Sequence, residues 1–167
     1  MGGTQWILLN STNAATTSAQ EWNNTNPTSS VFSVGSSSSN SNQSANTYVA
    51  YCWSEIAGYS KFGGYTGNSS SDGVFIYLGF RPKFIFIKNY QSATDWYFED
   101  SARDTYNVAS SVLSPNTSSA ESSGTYLIDF LSNGFKLRTA NGNINSSGNS
   151  YIYGCWAENP FKNALAR

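Results

Sequence analysis

Apolar residues recur with a period of two in several short segments of the chain. The clearest cases are the runs 48–53, 73–78, 83–88 and 151–156, which are rich in aromatic and β-branched residues. Clusters of Gly, Asn and Ser separate such runs at short intervals, as is typical of sandwiches and barrels. No segment sustains a helical period over three turns. The pattern predicts an all-β fold, and we expect an antiparallel, jelly-roll-like β-sandwich.

A tight turn is predicted between two apolar segments near the C-terminus. Asn133 and Gly134 separate the apolar run 127–131 from the run 135–138. Asn-Gly is a strong hairpin signal because both residues tolerate positive φ at the turn positions. We therefore expect a β-hairpin with Asn133 and Gly134 at its tip.

The chain contains an internal repeat. Residues 31–55 align without a gap with residues 134–158 at an offset of 103, with nine identities in 25 positions. Residues 8–22 show weaker similarity to residues 112–126 at an offset of 104. The identities that are least explained by the Ser- and Asn-rich composition are Phe32/Phe135, Tyr48/Tyr151, Cys52/Cys155, Trp53/Trp156 and Glu55/Glu158. Such self-similarity at a fixed offset indicates a duplication.

The two copies are unequal in length. Residues 74–111 precede the second copy and have no counterpart in the first. The sequence therefore predicts one and a half copies of a repeat of about 100 residues. We assign residues 1–58 to a partial first repeat, 59–73 to a Gly/Ser-rich junction and 74–167 to a complete second repeat, packed as one body. The half copy is expected to be cut from a longer array, or to borrow strands from the full copy or from a neighbouring chain.

Composition argues against several classes of function. The chain has no His and two Cys, which leaves too few ligands for a zinc site and excludes a His-dependent catalytic triad. A net charge of −1, with scattered basic residues, gives no footprint for nucleic acid. No apolar run approaches the length of a membrane span, and the first twenty residues lack the features of a signal peptide. We expect no cofactor, no nucleic-acid partner and no membrane contact.

A series of motifs in the second copy has a recognisable order. It consists of Gly-Phe-Arg-Pro-Lys-Phe-Ile-Phe-Ile-Lys at 79–88, Asp-Trp-Tyr at 95–97, Asp-Ser-Ala-Arg at 100–103, Phe-Leu-Ser-Asn-Gly-Phe at 130–135 and the strand pattern at 151–156. This order resembles the repeat module of bacteriophage virion proteins, found in tail fibre and other structural proteins of marine phages. The first copy matches only from its Asn/Thr-rich middle to residues 48–53, and Asn133 stands where that family often has Asp. The resemblance implies a place in a virion assembled in the host cytoplasm, and implies little about chemistry.

One dense acidic cluster, formed by Asp95, Glu99, Asp100 and Asp104, is a candidate for chemistry. A glycosidase needs two carboxylates at a set separation, and a calcium site could use Asp95, Asp100 or Asp104 with Asn carbonyls. Arg103 lies among the acids, so surface or interface ion pairs are the simpler interpretation. We therefore assign no catalytic and no metal-binding residue.

The repeat-equivalent residues are interpreted as structural. Cys52 and Cys155 could form a disulfide, but assembly in a reducing cytoplasm favours two free buried thiols. Trp53 and Trp156 follow the cysteines directly, so they point to the opposite face and are expected to pack on a sheet.

Candidate contact residues lie near Gly-rich loops and strand ends. Glu55 and Glu158 end the two equivalent strands and are expected to be exposed acids, with an interfacial ion pair as the alternative. Aromatic rings in such positions stack on sugars or become buried in subunit contacts. The aromatic candidates are Tyr59, Phe62, Tyr65, Tyr90 and Tyr106.

The sequence thus predicts a non-enzymatic structural or adhesive component on the exterior of a phage-like virion, such as a tail-fibre or capsid-decorating module. Its expected partners are other virion subunits, in a homo-oligomer that we take to be a trimer, contacted through sheet edges and aromatic loops. The alternative is a module that binds host surface glycans at a fibre tip. A polysaccharide-degrading spike that uses Glu99 and Asp100 is a third and weaker hypothesis.

Overall fold

The structure is a computed structural model that describes residues 1–36 and 40–159. The end of the predicted second repeat, residues 160–167, lies outside this range. The described strands are β1 (Gln5–Trp6), β2 (Thr16–Thr17), β3 (Ser60–Thr66), β4 (Phe75–Tyr77), β5 (Pro82–Asn89), β6 (Trp96–Asp100), β7 (Ile128–Leu131), β8 (Gly134–Leu137) and β9 (Ser150–Ala157). Two four-residue helices complete the described elements, α1 (Ala19–Trp22) and α2 (Gly142–Asn145). All strand pairs are antiparallel, which confirms the prediction of an all-β sandwich.

Two sheets form the body of the fold. One has the strand order β3-β9-β5-β6, and the other has the order β4-β8-β7. Strand β9 is an interior strand, and it pairs along its length with β3 on one side and with β5 on the other. A third, two-stranded sheet joins β1 to β2 near the N-terminus.

The core lies between the two larger sheets, where alternate residues of each strand point inward. Strands β5 and β9 contribute Ile85, Ile87, Tyr153 and Cys155, and strands β7 and β8 contribute Ile128, Phe130, Phe135 and Leu137. The rings of Phe135 and Tyr153 meet edge to face across the gap, with centroids 5.6 Å apart. Period-two alternation therefore sorts the residues onto a core face and an outer face, as the sequence predicts.

The hairpin between β7 and β8 is present, but its glycine has a different role from the predicted one. Leu131 pairs with Gly134, so the two turn residues are Ser132 and Asn133. Neither Asn133 nor Gly134 has a positive φ. Instead, a Cβ at Gly134 would overlap the carbonyl oxygen of Ile76 on β4. The glycine is required because the backbones of β4 and β8 approach closely at this point.

Residues 48–53 are not a strand in this structure, so that part of the sequence prediction was wrong. They have no regular secondary structure and are exposed, and Val49 and Tyr51 each retain 78% of their accessible surface. Their equivalents in the second copy form β9, where Tyr151 and Cys155 are completely buried. The physical reason is that no described strand lies beside this segment, since β3 and β5 both pair with β9. A sequence with strand character needs neighbouring strands to satisfy its backbone.

The outer face of the four-stranded sheet carries a second apolar layer. Its half-buried or buried rings are Phe62, Phe84, Phe86, Trp96, Phe98 and Trp156. The N-terminal part of the chain covers a portion of this layer. The Trp96 indole Nε1 donates to the Leu8 carbonyl at 2.9 Å, and the buried Lys88 Nζ donates to the Thr12 carbonyl at 3.0 Å. The irregular residues between β1 and β2 therefore cover part of this outer face.

Candidate functional site

Two strand edges lie side by side at one flank of the sandwich. Strand β3 is an edge strand of the four-stranded sheet, and strand β4 is an edge strand of the three-stranded sheet. Lys61 on β3 links them, since its Nζ donates to the Tyr77 carbonyl at 3.1 Å and lies 5.5 Å from the centroid of the Tyr77 ring. Tyr59, Phe75 and Tyr77 are exposed here, Tyr77 by 60%. We call these two edges with their three exposed rings the open side.

In the described part of the chain, strand β3 has backbone groups along this edge that pair with no other strand. The Phe62 N–H points away from β9, because it donates to the Glu55 carboxylate at 3.3 Å. In an antiparallel strand alternate residues point the same way, so the backbone groups of Gly64 and Thr66 also face outward. Unpaired groups of this kind are a template for another strand. The open side therefore combines backbone pairing capacity with apolar surface.

The segment 48–56 forms a second exposed surface that leads into this edge. A tight turn joins it to β3, with Ile56 N–H donating to the Ser60 carbonyl at 3.1 Å and Gly58 at a φ of 76°. Trp53 lies against Trp156 with ring centroids 6.1 Å apart, and Tyr51 stacks on Trp53 at 6.5 Å. The exposed apolar side chains of the segment are Tyr48, Val49, Tyr51, Trp53 and Ile56.

A groove of about 620 Å³ lies on the outer face of the four-stranded sheet, over β3, β9 and β5. Phe62, Phe86, Tyr90 and Ile152 line it together with Met1, and none of its lining side chains is charged. Gly154 helps to shape the sheet beside the groove, because a Cβ at this position would overlap the Phe86 ring. The lining is suited to an uncharged ligand with a flat apolar face.

The five aromatic candidates fall into three groups. Phe62, Tyr65 and Tyr90 line the groove, Tyr59 lies on the open side, and Tyr106 is 86% exposed in the connection between β6 and β7. Tyr65 is nevertheless buried, with 8% of its surface accessible, so the expectation of an exposed ring was wrong for this residue. It shares the core face of β3 with Lys61 and Gly63, because each pairs with a core-facing residue of β9.

Tyr65 acts as a structural residue. Its hydroxyl donates to the Ile144 carbonyl at 2.7 Å, and its ring stacks on Tyr151 with centroids 4.8 Å apart. Burial raises the pKa of this hydroxyl well above its ordinary value.

Sequence reasoning missed Phe75 and Tyr77 on β4, although the alternation of these two residues with buried Ile76 could have located an exposed aromatic pair.

The acidic residues that the sequence places close together, Asp95, Glu99, Asp100 and Asp104, have different environments in the structure. Partial burial of Asp100 opposes ionisation, but hydrogen bonds from the Arg103 and Ala102 N–H groups and from the Arg103 side chain hold its pKa below the ordinary value. The Arg103 Nε lies 2.6 Å from the Asp100 carboxylate. Burial likewise opposes ionisation of Asp104, but the N–H groups of Ser110 and Ser111 donate to it and its pKa is lowered.

Glu99 has a different environment from its neighbour Asp100. It lies on the core face of β6 and is almost fully buried, so desolvation raises its pKa well above the ordinary value, and the nearby Asp104 raises it further. Adjacent strand residues point to opposite faces, so Glu99 and Asp100 do not flank a common cleft as a glycosidase pair would. Within residues 1–36 and 40–159, no group of three or more His, Cys, Asp or Glu side chains is placed to hold a metal ion.

The repeat-equivalent residues occupy unlike environments. Both cysteines are free, but Cys155 is buried and Cys52 is exposed, so the expectation of two buried thiols was wrong for Cys52. Burial raises the pKa of the Cys155 thiol well above the ordinary value. Glu158 pairs with the Arg81 Nε at 2.9 Å. The fully buried member of the cysteine pair thus belongs to the copy that has its neighbouring strands.

Comparisons with known proteins place the whole of this architecture in one family. Among the described residues, no helix is long and apolar enough to cross a membrane. Neither the curated proteins nor the solved structures include a match to the chain. A family profile does match, over residues 1–160, and so takes in both sheets, the open side and the groove. The chain therefore belongs to the family described as "Domain of unknown function (DUF7483)".

Proposed function

We propose that this chain is a non-enzymatic structural or adhesive module on the exterior of a phage-like virion, as part of a tail fibre or a capsid decoration. The proposal that it works by making contacts is carried by the open side, where two adjacent strand edges expose three aromatic rings. Unpaired edges accept other strands, and aromatic residues are enriched in subunit interfaces. The virion location rests on the ordered motifs between residues 79 and 156 and their resemblance to phage modules.

In this proposal, copies of the chain assemble through the open side into a homo-oligomer, and a trimer is the expected state. The sandwich supplies a rigid body, because residues of both sheets interdigitate in one core. Tyr77 and Phe75 would become buried against a neighbouring copy, while the outward backbone groups of β3 would pair with it.

The test is the solution mass by light scattering after gel filtration, over a range of concentrations. We expect a mass of about three times the 18.1 kDa of the single chain. Tyr77→Lys places a charge on the open side and should reduce the mass to that of the monomer. Leu9→Lys is the matched control, because Leu9 is exposed beside Leu8, which contacts β6 at the opposite end of the sheet. A wild-type chain that remains monomeric at every concentration contradicts self-assembly.

Glycan binding is the second candidate function, and the groove is the observation that favours it. Phe62 and Tyr90 line an uncharged groove, and flat aromatic rings are suitable platforms for neutral sugars. The test is an NMR titration of the full chain with a panel of neutral saccharides. Tyr90→Ala should abolish the chemical-shift changes, and Tyr106→Ala should preserve them. If no saccharide shifts a groove resonance, glycan binding at this site is refuted.

A further inference from the structure

We propose that two charged side chains, Glu55 and Lys61, regulate assembly at the open side by occupying backbone groups that a neighbouring copy of the chain would use. This inference rests on the proposed function and deepens it by naming a control on the same surface. The Glu55 carboxylate accepts a hydrogen bond from the Phe62 N–H of β3 at 3.3 Å. The Lys61 Nζ donates to the Tyr77 carbonyl of β4 at 3.1 Å. We call these two contacts the edge caps.

The strand register shows that both capped groups face away from their own sheets. Alternate residues of an antiparallel strand bond to the same side. Tyr59 and Gly67, which flank β3, bond to the β9 side through their backbones, so the odd-numbered positions face β9 and Phe62 faces outward. In β4, the Leu78 N–H donates to the turn between β7 and β8, so the preceding residue Tyr77 faces outward. The edge caps therefore occupy groups that neither sheet uses internally.

A strand that joins either edge needs these same backbone groups. A carbonyl of the incoming strand would bond to the Phe62 N–H, and an N–H of the incoming strand would bond to the Tyr77 carbonyl. Each such bond must first replace an edge cap, so the neighbour exchanges one hydrogen bond for another and gains little at that position. Charged side chains on edge strands limit unwanted pairing in natural proteins. The edge caps thus raise the concentration at which copies of the chain assemble.

Both edge caps form within the single chain. Ile56 and Ser60 exchange backbone hydrogen bonds across the turn that precedes β3, at 3.1 and 3.0 Å, and this places Glu55 beside the edge. Lys61 reaches from β3 to β4, where its Nζ also lies 5.5 Å from the centroid of the Tyr77 ring. The caps are therefore in place before a neighbour arrives, which a control on assembly requires.

The experiment compares the association constants of the wild-type and variant chains by light scattering over a range of concentrations. Glu55→Ala and Lys61→Ala each remove one edge cap, and each should strengthen association about two- to tenfold, the contribution of one hydrogen bond. Glu55→Gln keeps an acceptor oxygen and should strengthen association less than Glu55→Ala does. Glu158→Ala is the matched control and should leave the association constant unchanged, because Glu158 aligns with Glu55 in the repeat but pairs with Arg81 beside β5.

Amide exchange in the monomer provides a second readout that does not depend on assembly. At a concentration where the chain is monomeric, Glu55→Ala should speed exchange of the Phe62 amide at least about twofold, because this N–H loses its acceptor. The Gly64 amide faces the same way and makes no contact with Glu55 among the described residues, so its exchange rate should not change.

The two readouts separate this inference from the proposed function. The edge caps are overturned if neither Glu55→Ala nor Lys61→Ala changes the association constant of an oligomer, or if Glu55→Ala leaves Phe62 exchange unchanged; self-assembly then stands alone. A wild-type chain that stays monomeric while Glu55→Ala assembles supports the caps and contradicts assembly of the wild type. Monomers throughout the series refute both proposals.

Discussion

The alignment of residues 31–55 with residues 134–158 leads to a prediction about the stability contributed by two phenylalanines at the same aligned position. Phe135 is completely buried between the sheets, and Phe32, at the same position of the first copy, is 48% exposed and outside any strand. Phe135→Ala removes the ring that packs on Tyr153 and leaves a cavity in the core. Substitutions of this kind lower the free energy of unfolding by about 3–5 kcal/mol.

Phe32→Ala should have a much smaller effect. Full burial of a large apolar side chain is worth about 1.5–3 kcal/mol, and a side chain that is half exposed gains about half of that or less. We therefore expect a loss of about 1 kcal/mol for Phe32→Ala. For a chain of this size each kcal/mol lowers the melting temperature by about 2–4 °C, which gives a decrease of roughly 6–20 °C for Phe135→Ala and a few degrees for Phe32→Ala.

The assay is equilibrium unfolding in urea, followed by tryptophan fluorescence and circular dichroism, with thermal unfolding as a second measure. Coincident transitions and an unchanged dependence on denaturant would show that both variants unfold as the wild type does. Equal losses of stability for the two variants would refute the reasoning, because they would place Phe32 in a core equivalent to that of Phe135.

Three further substitutions, one of them with a matched control variant, test individual parts of the structure. The pKa of Glu99 is raised in the folded state. Its contribution to the free energy of unfolding is therefore fully present below the pKa that it has in the unfolded chain, and is lost as pH rises through the pKa that it has in the folded protein. Glu99→Gln should therefore gain more stability relative to wild type at pH 8 than at pH 5 in urea unfolding, and an equal difference at both pH values contradicts this. Gly134→Ala must push β4 away from β8 and should cost about 2 kcal/mol or more in thermal unfolding. Gly142→Ala is the matched control, because its Cβ would make only ordinary van der Waals contact with Ser146, and it should change stability by less than about 1 kcal/mol. Lys88→Met removes the ammonium that binds the N-terminal segment and should speed limited proteolysis of residues 1–17, and unchanged cleavage would refute that anchoring role.

Much of the fold could be predicted from the sequence, because alternation identifies strands wherever the chain also supplies their neighbours. The predicted runs 83–88 and 151–156 fall inside β5 and β9, which pair with each other. The run 48–53 has the same alternation, but none of the described strands pairs with it, and it is exposed and irregular. Local pattern gives strand propensity, whereas pairing depends on distant residues that the pattern does not specify.

The candidate site was predictable only in part, for a related reason. Phe62 and Tyr90 were selected as aromatics near loops, and the structure brings both to one groove. Tyr65 was selected on the same grounds and also lines the groove, but its ring is buried on the core face of β3, which depends on the register of β3 against β9. The adjacency of β3 and β4 at the open side likewise depends on how the two sheets stack, and the contact between Lys61 and Tyr77 reveals it only in three dimensions.

The most direct test of the account compares hydrogen–deuterium exchange in residues 48–53 and 151–156 of the isolated chain. The account holds that the first segment is strand-like in sequence but unpaired, and that its equivalent is the central strand of the sheet. It predicts nearly unprotected amides in 48–53 and exchange slower by at least about a thousandfold in 151–156. Comparable strong protection of both segments in a monomeric sample would contradict it, because residues 48–53 would then already be paired within the chain.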